Sequence, residues 1–305
     1  MRVALFLLTN LAVLLLLSLV LAVFGVAPEN LFRLSALALA FGMSGSFLSL
    51  VLSKWIAKTS TGARVIKEAG DDTEQWLLDT VAAHAQRAGI GMPEVAVFES
   101  PDMNAFTTGM KRDHALVAVS TGLLARMTPE EIEAVLGHEL AHVANGDMIT
   151  LALIQGVLDT FVIFVSRVVA GGIEGFTGSD RGQGGLGSMG YWILVFLLQL
   201  TLGLLALLIV MSFARQREYC ADAGGAELAG RESMIAALER LQTESEQTRL
   251  PDRLAAFGIN SRPNRLAKLL SSHPPLADRI AALRASSVAR QVPNSHPDTW
   301  SELMP

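Results

Sequence analysis

Four long apolar runs divide this chain, and between them lie stretches with the alternating polarity of soluble structure. Val3 to Phe24 is broken only by Thr9, Asn10 and Ser18. As a helix it reaches about 33 Å, enough to cross a bilayer. It exceeds the usual apolar core of a signal peptide, Pro28 follows the only plausible cut, and a second apolar run starts at once, so it reads as an uncleaved anchor. That second run, Leu31 to Leu52, sets Gly42, Gly45, Ser46 and Ser49 at the small-residue spacing that suits close helix packing in lipid. The turn between the runs, Ala27-Pro28-Glu29-Asn30, lacks Lys and Arg, whereas Arg2 precedes them and Lys54, Lys58, Arg64 and Lys67 follow. The positive-inside rule therefore puts both ends of this hairpin in the cytoplasm.

Soluble patterning then takes over. Asp72 to Ala88 is amphipathic through Trp76, Leu77, Val81 and Ala85 and closes on Gly89. Three short strands are predicted at Glu94–Glu99, Asn104–Gly109 and Ala115–Ser120, and the edge of such a sheet accepts an extended peptide as an added strand. Thr128-Pro129-Glu130-Glu131 is a capping box that starts a helix with an apolar stripe at Ile132, Val135, Leu136, Leu140 and Val143, ended by Asn145-Gly146.

Met148 to Ala170 is a third apolar run, interrupted by Gln155, Asp159 and Arg167, which leaves open whether it crosses completely. Asp159 reads first as a hydrogen-bonded carboxyl joining helices, with Gln155 or Gln199 as partner, and second as the lining of a path. Gly171 to Gly190 reads as a flexible glycine-rich loop, and Tyr191 to Phe213 is the fourth run. Arg215 and Arg217 follow it, so this hairpin too opens to the cytoplasm. Ala214 to Thr243 is helical, with a break expected at Gly224-Gly225. A short helix at Arg265–Leu270, a last helix opened by Pro274-Pro275, and a mobile polar tail complete the chain.

The division is thus 1–53 membrane hairpin, 54–147 first soluble part, 148–213 second hairpin with loop 171–190, 214–286 second soluble part and 287–305 tail. The fold class is an α-helical integral membrane protein, about four transmembrane helices in two hairpins, with a cytoplasmic α+β domain. Composition agrees: 51% hydrophobic and 17% charged residues in 305 leave too much apolar surface for a soluble enzyme. A net charge of −5 gives no footprint for nucleic acid, and one cysteine excludes an internal disulfide framework.

The chemistry concentrates in His138-Glu139-Leu140-Ala141-His142. Histidines four apart share one helix face and reach one ion, while Glu139 sits at the edge of that face, placed to take a proton from a water beside the metal. Two imidazoles and a carboxylate on a largely buried helix are costly without a cation to satisfy them. Glu218 and Asp222, also four apart, begin the segment after the fourth run. A membrane hairpin returns them to the surface where the His138 helix ends, so Glu218 is the candidate third ligand and Asp222 the carboxylate that orients a ligand imidazole. Cys220, two residues from Glu218, faces the other way and reads as a packing residue. His273, fixed before two prolines, is either a donor to a developing oxyanion or a capping histidine. His84, His114 and His296 read as structural or exposed.

Together, Asn104-Ala105-Phe106, His138-Glu139-x-x-His142, Glu218-x-x-x-Asp222 and His273-Pro274-Pro275, in this order among four apolar runs, resemble the HtpX-type membrane zinc metallopeptidases of bacteria, relatives of the CAAX prenyl endopeptidases. The likeness runs from Val3 to about Arg284. It implies a zincin-like endopeptidase domain, one Zn²⁺ per chain, a multi-pass inner-membrane location with the site facing the cytoplasm, and hydrolysis of misfolded or damaged membrane proteins in stress and quality control, alongside other membrane proteases. It further implies that Asn104, Ala105 and Phe106 contact the substrate and that His273 assists catalysis. Cys220 departs from the histidine expected in relatives. Two alternatives remain: a prenyl-peptide endopeptidase, against which four rather than more spans speak, and a scaffold with a structural metal, against which an intact Glu139 speaks.

Overall fold

The computed structural model describes residues 28–179, 187–247 and 269–291. The first apolar run, the segment 248–268 that includes most of the short helix expected at 265–270, and residues 292–305 lie outside the described residues. Three described helices are long and apolar enough to cross a membrane. Helix α1 (Pro28–Thr61) begins inside the turn expected at 27–30 and continues nine residues past the predicted boundary at Leu52. Its large apolar side chains, among them Phe32, Phe41 and Phe47, are exposed, as a lipid-facing surface requires.

The soluble unit starts with strand β1 (Arg64–Val65) and helix α2 (Asp72–Ala88). Asp71 caps α2 by accepting from the Glu74 amide, and Gly89 ends it at φ 65°. Strands β2 (Glu94–Phe98), β3 (Ala105–Thr108) and β4 (Leu116–Ser120) complete a sheet of order β1-β2-β4-β3. β4 is central and buried along its whole length, which explains its unbroken apolar run; it pairs parallel with β2 and antiparallel with β3. β3 is therefore an edge strand. β1, too short to show periodicity, was not legible in the sequence.

After the short helix α3 (Thr121–Arg126), helix α4 (Pro129–Asn145) carries the two histidines. Both halves of the Thr128/Glu131 capping box are formed, and Gly146 at φ 68° ends the helix. α4 runs through the main core: Leu136 and Leu140 are fully buried among Leu77, Val81, Val117 and Leu238.

Helix α5 (Asp147–Ser179) follows immediately, and its 33 residues, about 50 Å long, suffice to cross. The loop expected from Gly171 is helix up to Ser179, and helix starts again at Gly187. Gly171, Gly172 and Gly175 have open space where a side chain would stand, so nothing there forces the chain out of a helix. Helix α6 (Gly187–Ala229) is continuous through Gly224-Gly225, contrary to the expected break. These glycines serve close packing instead: a Cβ on Gly224 would lie 2.6 Å from the Ala141 Cβ, and one on Gly225 2.9 Å from the His138 nitrogen. The true break is Gly230, at φ 97°, before α7 (Arg231–Gln247). Helix α8 (Leu276–Gln291) extends five residues into the expected tail.

A candidate metal centre beside an edge strand

α4 presents His138 and His142 one turn apart, and α6 passes close enough, through its two glycines, to bring Glu218 between them. The three side chains offer donor atoms that all lie within 4.8 Å of one another. His138 Nε2 and His142 Nε2 are 3.2 Å apart; they stand 3.7 and 3.4 Å from the Glu218 carboxylate oxygens. Metal–ligand bonds of about 2.0–2.2 Å at tetrahedral angles separate donors by roughly 3.3–3.6 Å, so the spacing fits one ion.

The outer nitrogens decide which lone pairs are free. His142 Nδ1 donates to Asp147 Oδ2 at 2.7 Å, and His138 Nδ1 lies 3.0 Å from Asp222 Oδ1. Because an ionised carboxylate only accepts, each Nδ1 carries the proton and each Nε2 points its lone pair into the cluster. Glu218 is 5% exposed, and its Oε2, though 2.8 Å from His273 Nδ1 and 3.2 Å from Arg279 Nη1, completes no well-aligned hydrogen bond. Once His142 gives up its second proton, two converging lone pairs and a buried carboxylate face one point, which a divalent cation would complete.

The electrostatics mark the same pocket as one that favours positive charge, a proton on His142 or an ion in its place. Burial alone would lower the His142 pKa, but the Asp147 and Glu218 carboxylates raise it to about 10. Burial opposes ionisation of Glu218, yet the adjacent His142 and His273 imidazoles hold its carboxyl well below the usual range. Asp222 is likewise held down against burial, by Arg279, whose Nε and Nη2 grip its two oxygens at 2.8 and 2.5 Å. Asp147, 3% exposed, also accepts from Arg217 Nε at 2.5 Å. The cluster is thus a proton-hungry, preorganised pocket.

Glu139 stands next to the cluster, half-buried, and accepts a 2.6 Å hydrogen bond from Thr107 Oγ1 on edge strand β3. Strand alternation sorts the neighbouring positions. Ala105 and Thr107 face α4, while Phe106 turns to the opposite sheet face and stacks on Phe98 with ring centres 5.5 Å apart. The side chain of Phe106, expected at the substrate, therefore lies on the sheet face turned away from α4. Asn104 is exposed, its amide and carbonyl tied to Ser120. Asn104, Ala105, His138, Glu139, Glu218 and His273 share the wall of one open cleft of about 450 Å³.

Asp147, Arg279 and Thr107 are the partners that sequence reasoning did not single out. Asp147 gave one signal, a carboxylate at the mouth of an apolar run five residues after His142. Arg279 meets Asp222 across 57 residues and gave none. Cys220 is exposed on the far side of α6, which corrects the expectation of a packing role. His84 is buried, with Nε2 3.2 Å from the Glu133 carbonyl, and His114 is exposed. Asp159 accepts from Gln155 Nε2 at 2.7 Å.

Histidine and carboxylate side chains able to hold one ion, converging beside a further glutamate at the ends of membrane-length helices, are the arrangement of a membrane metalloprotease. The chain belongs to peptidase family M48, matched over residues 71–287, and to its HtpX-type proteases. It is 59% identical over 288 residues to Protease HtpX of Stenotrophomonas maltophilia, covering 94% of this chain and 99% of the relative. A Protease HtpX homolog of Desulfotalea psychrophila is 58% identical over 284 residues, covering 93% and 99%. Among solved structures, the crystal structure of S. mikatae Ste24p superposes with a TM-score of 0.59 at 20% identity, covering 89% of this chain. The chain spans 62% of that larger protein, and the likeness is one of fold.

Proposed function

We propose that this protease is a zinc endopeptidase of the bacterial inner membrane, with four spans in two hairpins, that cleaves misfolded or damaged membrane proteins from the cytoplasmic side. The observation that carries the reading is the convergence of His138 Nε2, His142 Nε2 and the Glu218 carboxylate, with Glu139 set between that cluster and an open strand edge. His138, His142 and Glu218 are the residues that would hold zinc. When bound, the ion supplies Lewis-acid polarisation of a carbonyl and makes water more acidic. Asp222 and Asp147 keep both imidazoles in the ligating tautomer.

The substrate adds to β3 as an extended strand, anchored by backbone groups near Asn104 to Thr108. Glu139, held in place by Thr107, takes the proton of the attacking water and delivers it to the leaving amine. His273, at the cleft lip beside Glu218, is the extra donor to the tetrahedral oxyanion. A general base contributes about 10²–10⁴-fold. Glu139→Gln should accordingly retain stoichiometric zinc by elemental analysis and lose at least a hundredfold in cleavage of an unfolded membrane protein. Full turnover by that variant in a contaminant-free preparation would reject Glu139 as the base. His138→Ala should lose the metal, and a prenylated peptide assayed in parallel should be the poorer substrate.

A further inference from the structure

A second, polar feature lies away from the His138–His142–Glu218 cluster, at membrane depth. Ser46 and Ser49 on α1 face Met148, Gln155 and Asp159 on α5 across a groove of about 440 Å³. On α5 these positions are spaced by seven and four residues, so they fall on one face. The groove has a closed end and an open one. At its deep end the two helices touch: a Cβ on Gly42 would overlap Thr160, and one on Gly156 would lie 2.8 Å from Met43 Sδ. At its foot it is lined by Thr108, the last residue of edge strand β3. Thr107, the residue before, holds Glu139.

The depth is considerable. Asp159 lies twelve residues along α5 from Asp147, roughly 18 Å and more than half the hydrocarbon thickness of about 30 Å. Lipid tails gain nothing from such a surface. Ser46, 8% exposed, lies against Asp159 in the wall, and Asp159 also accepts from Gln155 Nε2 through one oxygen. Hydroxyl, amide and carboxyl groups supply what an unwound peptide backbone loses on leaving a helix inside hydrocarbon, namely donors and acceptors for its N–H and C=O groups.

Resting on the reading of the site as a membrane-protein endopeptidase, we propose that this groove is the path along which an unwound stretch of a substrate's membrane segment descends to strand β3. The chain leaving the groove at Thr108 arrives at the free edge of the sheet and continues as the added strand beside Glu139. Among the described residues nothing fills the groove.

The test uses the full chain in liposomes and two substrates with one cleavage sequence, the first embedded in the same bilayer and the second a soluble unfolded polypeptide. Ser49→Phe should lower the ratio of membrane to soluble cleavage at least tenfold, and an unchanged ratio overturns the proposal. A second measurement needs no turnover. In a Glu139→Gln, Cys220→Ser background, Ser49→Cys should form a disulfide with a single cysteine in the embedded substrate segment. Cross-linking only to a lipid-borne thiol probe, or only to a cysteine placed in this chain's own 3–24 segment, overturns it and leaves the groove a structural seam. Should the wild type cleave neither substrate, the endopeptidase reading fails while the cross-link still decides the groove.

Discussion

Asp147 is the first residue of a membrane-length helix, and it grips His142 on one side and Arg217 on the other, so a single carboxylate joins α4, α5 and α6. Orienting partners of this kind are worth about 10–100-fold in metal affinity. Asp147→Asn should lower zinc affinity by that order in competition with a chromophoric chelator while circular dichroism stays native; unaltered affinity would remove Asp147 from the centre. His84 offers a different readout. It is 1% exposed, its Nδ1 has no hydrogen-bond partner among the described residues, and burial pushes its pKa below the ordinary 6.5. The unfolded chain therefore binds a proton that the folded chain resists, and stability is full above pH 6.5 and falls as pH drops through the folded value. The midpoint of thermal unfolding should fall between pH 7 and pH 5, and His84→Gln should flatten that slope; an equal slope in both proteins would contradict the assignment. The candidate cluster shows in the sequence because His138 with His142, and Glu218 with Asp222, each lie within one helix, where spacing of four residues leaves a trace. The contacts from Arg279 to Asp222 and from Thr107 to Glu139 join distant segments, and no local period records them.

Elements were legible where capping and periodicity agree. α2, β2, β4 and α4 begin and end within a residue or two of expectation because Asp71, Gly89, the Thr128 box and Gly146 act locally. Expectation failed where glycine was read as punctuation: Gly171, Gly172, Gly224 and Gly225 all sit inside helices. For Gly224 and Gly225 the reason is tertiary, since they set the distance between α4 and α6 and hence between His138 and Glu218. Gly225→Ala must push the His138 backbone away, a misfit of the kind that costs about 1–3 kcal/mol. The expected result is a lower unfolding midpoint together with substoichiometric zinc. Gly203→Ala, with open space around it on the same helix, is the control and should leave both unchanged. Equal behaviour of the two variants would show that close approach of α4 and α6 does not build the centre.

At the scale of the whole molecule, the candidate metal centre and the membrane-length spans share their helices. α6 is about 64 Å long, twice the hydrocarbon thickness, so the helix that leaves lipid near Phe213 carries Glu218 five residues on with no joint between. α5 enters its apolar run one residue after Asp147. The soluble unit is also clamped to α1, where Lys54 and Lys58 both pair with Glu94 of β2 and, against the effect of burial, hold its carboxyl below the usual range. The candidate centre therefore sits one to two helical turns from the ends of two apolar runs, and orientation becomes a property of the whole chain. Its single cysteine provides the probe: Cys220 is exposed at the same end of the α6 span as Glu218, close to Arg215 and Arg217, and Met189, 80% exposed, lies at the opposite end. If the basic flanks face the cytoplasm, a membrane-impermeant maleimide should leave Cys220 unlabelled in spheroplasts and modify it in inverted vesicles. Met189→Cys in a Cys220→Ser background should give the reverse pattern. Labelling of Cys220 from outside would invert the topology, place the cleft in the periplasm, and with it change which damaged proteins the protease can reach.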